Sequence, residues 1–282
     1  MTQNEKLAGD TPAVAAFDYI VVGAGSAGCA VAARLAEDAG VTVALLEAGP
    51  SDHHFSVWTP VAVATIVPKA GPRNYAYRSV PQPGLNGRRS YQPRGRGLGG
   101  SSSINGMVYI RGHRKDYDTW AQLGCQGWGY EDVLPYFRRS ETNHALDDRH
   151  HGKDGPLHVN ELRTPNPFSA RFIEAAMQAG IPFNRDFNGA EQDGAGYYQV
   201  TQRNGERWNS ARAYLHHGDA NDGTFSGGRR NLTVWTDTQV QRIVFEGRRA
   251  VGVSITRAGV TQVLRARREV IVSGGAFNSP QL

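Results

Sequence analysis

The segment Val22-Gly23-Ala24-Gly25-Ser26-Ala27-Gly28 constrains this chain more than any other. It follows an apolar run at 17–22 rich in Ile and Val, which reads as a buried strand. Beyond it, Ala32, Leu35 and Ala36 recur at helical spacing, predicting a helix over 28–39, and 41–46 is a second apolar strand. Strand, glycine turn, helix and strand in that order make a βαβ unit of about 30 residues. Each glycine then has its own task. Gly23 permits the tight turn, Gly25 lets backbone approach a pyrophosphate, and Gly28 lets helix and strand pack closely. The helix N-terminus offers unpaired N–H groups and a partial positive charge to phosphates, worth roughly 0.3–1 kcal/mol per exposed contact. Glu47 closes the second strand, 19 residues beyond Gly28. A carboxylate there accepts hydrogen bonds from ribose hydroxyls, at ~1.5–3 kcal/mol each. Its charge also repels a 2′-phosphate, which disfavours NADP. The unit predicts a dinucleotide site and, by itself, leaves NAD and FAD open.

The rest of the chain predicts a discontinuous organisation. Residues 50–94 are rich in Pro, Gly and aromatics without periodicity and read as an irregular excursion. Helices are expected over 116–123, 130–140, 168–179 and 209–214, a polar loop over 142–155, and a Gly-rich polar loop over 216–230. Strand-like runs follow at 232–236, 239–245, 250–256 and 262–266, the last leading to 269–272, with turn signals at Glu246-Gly247 and Ala258-Gly259. The expected fold is α/β: a Rossmann-like parallel sheet with an inserted antiparallel meander over 232–266 and part of a second domain. The expected divisions are a flexible tail over 1–16, a cofactor domain over 17–156, a partial substrate domain over 157–215, and the cofactor domain resumed over 216–282.

A second segment, Gly95-Arg96-Gly97-Leu98-Gly99-Gly100-Ser101-Ser102-Ser103-Ile104-Asn105, exposes backbone N–H groups and hydroxyls of the kind a second face of a pyrophosphate or a flavin needs. Together with Tyr109, Gly112 and Asp118 it resembles the first signature of the glucose–methanol–choline (GMC) oxidoreductases. His151-Gly152-Lys153-Asp154-Gly155-Pro156-Leu157 and Asn231-Leu232-Thr233-Val234 are similar to that family, and Gly275-Ala276-Phe277-Asn278-Ser279-Pro280-Gln281-Leu282 resembles the opening of its second signature. The resemblance implies FAD. It implies that Gly23, Gly25, Ser26, Ala27, Gly28, Glu47, Ala48, Arg96, Gly99, Gly100, Ser101, Gly275 and Ala276 hold the cofactor, that Asn105, Gly106, Met107 and Val108 lie beside its ring, and that Val240 meets the adenine by its backbone. Some relatives carry a covalently linked His next to the motif Asn; here Ile104 has no nucleophile, so the FAD is expected to be non-covalent. The stretch 216–228 departs from the family pattern, as an insertion or a reading-frame error.

The chemistry so implied is oxidation of a CH–OH group, of choline or another primary alcohol, with hydride passing to the flavin and electrons leaving to oxygen or a quinone-type acceptor. A His base would contribute ~10²–10⁴ in rate. The family's base lies beyond the position of Leu282, so no catalytic residue is expected in this chain. A fragment ending there is expected to leave sheet faces uncovered at ~25 cal/mol per Å² and to be unstable and without turnover. The alternatives left open are a catalytically incomplete FAD-binding fragment and an NAD-dependent dehydrogenase. His144, His150, His151, His216 and His217 are expected to be solvated, His113 to be a surface or packing residue, and His53–His54 to bind no metal. Net charge is +5, but the arginines are scattered, which argues against nucleic acid and suits an anionic cofactor or an acidic second half. Cys29 and Cys125 read as buried or half-buried thiols of a reducing compartment. With no signal-like leader and no apolar run near ~18 residues, a cytoplasmic protein without membrane spans is expected.

Overall fold

The computed structural model describes residues 15–146, 149–216 and 228–282. The tail expected over 1–16 and the loop over 216–228 lie outside the described residues except at their edges, where Ala16 already belongs to the first strand. In chain order the strands are β1 (Ala16–Val22), β2 (Val43–Leu46), β3 (Tyr77–Arg78), β4 (Tyr91–Gln92), β5 (Glu141–Thr142), β6 (Leu157–Asn160), β7 (Val200–Arg203), β8 (Glu206–Arg207), β9 (Leu232–Trp235), β10 (Thr238–Glu246), β11 (Arg249–Arg257) and β12 (Val260–Val272). The α-helices are α1 (Ser26–Leu35), α2 (Phe55–Trp58), α3 (Val63–Ile66), α4 (Arg114–Gln122), α5 (Tyr130–Ser140), α6 (Pro167–Gln178), α7 (Ser210–Tyr214) and α8 (Gly275–Gln281).

Six strands form the main sheet in the order β10-β11-β12-β1-β2-β9. The parallel part is β12, β1, β2 and β9, and β2 is buried at every position, as a strand covered on both faces requires. Two apolar clusters cover the faces. One joins Val21, Val43 and Leu45 to the small residues of α1, Cys29 and Ala32, and to Leu215; the other joins Ile20, Ala44 and Leu46 to Val253, Ile255 and Leu264.

Two expectations about the meander need correction. The run at 232–235 is not part of it: β9 pairs parallel with β2 at the far edge of the sheet. The final strand is also continuous through Arg267 and Arg268. Its first half pairs antiparallel with β11 and its second half parallel with β1, and Arg265 takes part in both. The two arginines fall where the register to β1 shifts, between Phe17 and Tyr19, and they find partners on that strand: Arg267 Nε donates to Asp18 at 3.1 Å, and the Arg268 guanidinium lies 5.6 Å from the Tyr19 ring centre. The meander is therefore a continuation of the parallel sheet, not a separate layer.

α1 begins two residues earlier than the periodicity suggests and stops at Leu35, with Gly25 as its N-cap and Ala36 as its C-cap. The excursion at 50–94 holds α2, α3 and the β3–β4 hairpin. A second sheet, β5-β6-β7-β8, stands apart from the first. β6, β7, β8 and α6 lie in the stretch expected for the partial substrate domain, whereas β5 comes from the stretch before it. Cys29 is buried, but Cys125 is exposed, because it sits in the polar turn after α4. Among the described residues no helix is long and apolar enough to cross a membrane.

Candidate cofactor site

The C-terminal ends of β12, β1 and β2 open onto one cavity of about 500 Å³, lined at its floor by Val272, Val22 and Leu46. The chain leaves β1 toward β2 on one side, while β12 flanks it on the other, so this is a switch point of the sheet. Ligands of open α/β sheets bind outside such a point.

Close backbone approach shapes the cavity. Gly28 packs α1 onto the turn so tightly that a Cβ there would stand 1.9 Å from the Gly23 carbonyl oxygen. The second glycine segment meets the first directly: a Cβ on Gly100, which has φ +53, would lie 2.7 Å from the Gly25 Cα. The Gly99 N–H donates to the Ala24 carbonyl at 2.8 Å and fixes this contact. Two motifs some 70 residues apart in sequence thus form one wall.

The wall is set up for an anion. The N-terminus of α1 has no side-chain cap and no acidic residue in its first turn, and Gly25, Ser26 and Ala27 line the cavity. Its first N–H groups have no acceptor within the helix. A pyrophosphate satisfies them, so the residues present fit the dinucleotide expected from the sequence.

Glu47 also lines the cavity and is buried. Its carboxylate accepts from the backbone N–H of Ala24 at 2.9 Å, of Gly49 at 2.9 Å and of Gly97 at 2.8 Å. A carboxylate has about four acceptor sites, so three are taken by the fold and one is left for a hydroxyl. Burial pushes the Glu47 carboxyl above its ordinary value, opposed by these three donors and by the Arg96 guanidinium.

Of the residues expected to hold the cofactor, Gly23, Gly25, Ser26, Ala27, Glu47, Ala48, Gly100, Ser101, Val240, Gly275 and Ala276 line this cavity. Gly28 lies behind it, and Gly99 is packed against Ser103 and Asn209. Arg96 stands one step behind the wall: its guanidinium donates to the carbonyl of the lining residue Ala48 at 2.9 Å and lies 5.9 Å from the ring centre of the lining residue Tyr75. Asn105, Gly106, Met107 and Val108 are not in the cavity wall. They continue from it as a surface segment on which Asn105, Gly106 and Val108 are exposed. That segment is held from behind by the Thr201 N–H on the Met107 carbonyl at 2.9 Å, and Met107 takes a left-handed φ of +62.

A GMC oxidoreductase family model matches residues 17–282. The chain belongs to the GMC oxidoreductase family. It is 46% identical over 269 residues to an alcohol dehydrogenase (acceptor) of Pseudomonas putida, covering 94% of this chain and 47% of that protein. It is 48% identical over 270 residues to an oxygen-dependent choline dehydrogenase of Paraburkholderia xenovorans, again covering 94% and 47%. Among solved structures it superposes on pyridoxine 4-oxidase from Mesorbium loti with a TM-score of 0.86 and 32% identity, over 94% of this chain and 50% of that one. The chain spans about half the length of the relatives it matches. GMC oxidoreductases are an FAD-dependent class of enzymes, and FAD is the cofactor that the fold and the family agree on.

Several residues of this GMC site escape sequence reasoning. Tyr75, Tyr77, Arg94 and Phe277 close one side of the cavity. Tyr75 and Tyr77 stack at 5.1 Å, Tyr77 meets Phe277 edge-on at 5.8 Å, and Arg94 lies 4.6 Å from the Phe277 ring centre. The Tyr77 hydroxyl donates to Asn278 Oδ1 at 2.7 Å, tying α8 to β3 across 201 residues. The aromatic richness of the 50–94 excursion was the available signal.

The histidines also need correction. Of those expected to be solvated, His144 is exposed, His217 lies outside the described residues, His150 and His151 are buried, and His216 is half-buried. His216 Nε2 is 3.0 Å from the buried Asp52. His151 sits between Glu141 at 3.0 Å and Asp186 at 3.0 Å, beside the buried Arg111–Glu141 pair at 2.6 Å. Burial alone would lower the His151 imidazole, but the Asp186 and Glu141 carboxylates outweigh it and push it up to about 9. His113 caps α4 by accepting from the Lys115 N–H at 3.1 Å, and His53 stacks on Trp58 at 4.5 Å. No described histidine lines the cavity, and no described cluster of three or more His, Cys, Asp or Glu is arranged to hold a metal.

Proposed function

We propose that this chain forms the FAD-binding part of a flavoenzyme that oxidises the CH–OH group of a primary alcohol, choline or a broader one. The observation that carries the reading is the joining of the two glycine segments at the uncapped end of α1, over a switch point of the sheet. When bound, FAD supplies the hydride acceptor. The residues of this chain bind and orient it. The α1 N-terminus and Gly100–Ser101 carry the pyrophosphate. The remaining acceptor site of Glu47 takes a ribose hydroxyl. Val240 and Gln239 border the adenine end. The exposed segment Asn105–Val108 makes the shelf for the ring. Gly275 and Ala276 close the cavity from α8.

The bond to FAD is non-covalent in this reading. Ile104 stands where a linking side chain would be and is itself buried in the core, 5% exposed. The base that takes the hydroxyl proton is supplied by polypeptide matching the other half of the relatives. The electron acceptor is oxygen or a quinone-type carrier, and the protein acts in the cytoplasm. Residues 157–215 contribute the near wall of a substrate domain.

The test is direct. The purified protein is inspected for flavin absorbance, loaded with FAD if colourless, then precipitated with acid. Yellow protein that releases all its flavin to the supernatant supports the reading. Protein that takes up no FAD sinks it. Alcohol oxidation is then assayed with a dye acceptor, with choline and simple primary alcohols as candidate donors.

A further inference from the structure

Arg207 on β8 is the largest fully buried side chain among the described residues, with 1% of its surface exposed. Its neighbours are neutral. Nε donates to the Val57 carbonyl at 3.0 Å, and Nη1 donates to the Ser102 carbonyl at 3.2 Å and to Asn105 Oδ1 at 2.7 Å. No carboxylate among the described residues pairs with it. This contrasts with Arg111, also buried, which has Glu141 at 2.6 Å. An isolated charge taken out of water loses several kcal/mol of solvation, and a fold that lacked a reason to keep it would replace it by an apolar residue.

The position supplies the reason. Ser102 belongs to the short helical turn Gly100–Ser103, whose Gly100 and Ser101 line the cavity. Asn105 opens the exposed shelf, and its Oδ1 also accepts from the Met107 N–H at 3.0 Å. The guanidinium therefore sits directly behind the junction of cavity wall and shelf. It grips three chain segments at once: α2, the second glycine segment and the shelf. A planar fork of five donors meets these acceptors from two separate nitrogens, Nε and Nη1, whereas an ammonium has a single nitrogen and cannot stand at both places.

We propose that Arg207 is a positioning residue for the cofactor reaction: a fixed buried cation that holds Asn105 in place and favours the reduced, more negatively charged form of the ring bound against the shelf. The proposal rests on the FAD reading above. The charge is permanent under working conditions, because burial lowers the guanidinium only to about 10. In a water-poor site such a charge acts over several ångströms with little screening. Binding of oxidised FAD depends on it weakly; preference for the reduced form depends on it strongly.

The experiment is a redox titration of the FAD-loaded protein against a reference dye, with FAD affinity measured separately, on wild type, Arg207→Met and Arg207→Lys. Arg207→Met is expected to reduce the preference for reduced over oxidised flavin at least tenfold, a fall of about 30 mV for a two-electron couple. Arg207→Lys keeps the charge but loses the fork, and is expected to restore most of that shift. A purely structural role predicts that both variants lose FAD affinity alike, with no shift in potential. If Arg207→Met fails to fold, Asn105→Asp serves instead: this exposed position brings a carboxylate onto the guanidinium and cancels the charge without vacating the core. An unchanged potential in the variant that folds and binds FAD overturns the proposal and leaves the FAD reading standing. Wild-type protein that takes up no FAD overturns both.

Discussion

Substituting Glu47 by Gln separates the fold's need for this carboxylate from the cofactor's. In the native site Oε1 accepts from the Gly49 and Gly97 N–H groups, and Oε2 accepts from that of Ala24. A glutamine can leave its oxygen on the first two. Its NH₂ then faces the Ala24 N–H, donor against donor. One buried N–H left unmade costs about 1–3 kcal/mol. The two retained bonds lose their charge assistance, together about 2 kcal/mol. Against this, the amide escapes the burial penalty that raises the carboxyl, which returns part of the loss. The net is a destabilisation of roughly 2–4 kcal/mol, a large share of the 5–15 kcal/mol that holds a typical domain. Urea denaturation of the protein without cofactor reads it as a fall in midpoint at constant slope. FAD affinity should fall as well, since the displaced Ala24 belongs to the first glycine segment and holds the second through the Gly99 N–H. An unfolding free energy within about 0.5 kcal/mol of wild type would show that the carboxylate does not stitch these loops, and the reasoning would be wrong.

Three further outcomes follow from the same geometry. Gly28→Ala must move α1 away from the Gly23 carbonyl, which its Cβ would meet at 1.9 Å; it should cost about 1–3 kcal/mol in thermal unfolding and lower FAD retention, whereas Gly106→Ala, with nothing within 4 Å, should leave the melting midpoint in place. Because the folded His151 imidazole is raised from 6.5 to about 9, its contribution is complete below about pH 6.5 and is lost as pH rises through about 9; unfolding free energies at about pH 6 and pH 9.5 should differ by about 3 kcal/mol more in wild type than in His151→Gln. Arg111→Met strands the buried Glu141 carboxylate and should cost about 3–5 kcal/mol, and adding Glu141→Gln should recover part of that in a double-mutant cycle, a recovery whose absence would mean the pair is not coupled.

The parts of this fold that sequence made legible are those encoded within one window. The βαβ unit declares itself because the apolar runs, the glycines and Glu47 lie within 31 residues, from Phe17 to Glu47. Strand identity at 239–256 was legible for the same reason, since turn glycines bracket each run. Pairing partners were not. Nothing local tells β9 to join β2 in parallel rather than β10 in a hairpin; that choice is made by Leu232 packing into the core cluster under α1. Buried polar residues were misread for a related reason. His151 sits in a polar stretch, where polarity reads as solvent exposure, and nothing local singles out Arg207. Their burial depends on partners supplied from Glu141, Asp186, Val57 and Asn105, up to 150 residues away. The aromatic side of the cavity was likewise hidden, because Tyr77 and Phe277 acquire meaning only from each other.

Such a site couples folding to occupancy. The wall exists only where three segments meet: the turn at Ala24–Gly25, the loop after Glu47, and Gly97–Gly100. The links are the Glu47 carboxylate and the Gly99-to-Ala24 hydrogen bond, so loosening any one segment releases the other two. A ligand that bridges the α1 N-terminus and Gly100 adds a fourth link to the same junction. It binds the folded state and not the unfolded one, so at a hundred times its dissociation constant it adds about 2.7 kcal/mol of apparent stability. The melting midpoint of the wild-type chain should therefore rise with FAD concentration. In Glu47→Gln the unliganded protein melts lower, and more FAD is needed to reach the same midpoint. An FAD-dependent rise of equal size at equal concentration in both proteins would mean that cofactor and carboxylate act on separate parts of the fold, against the single junction argued here.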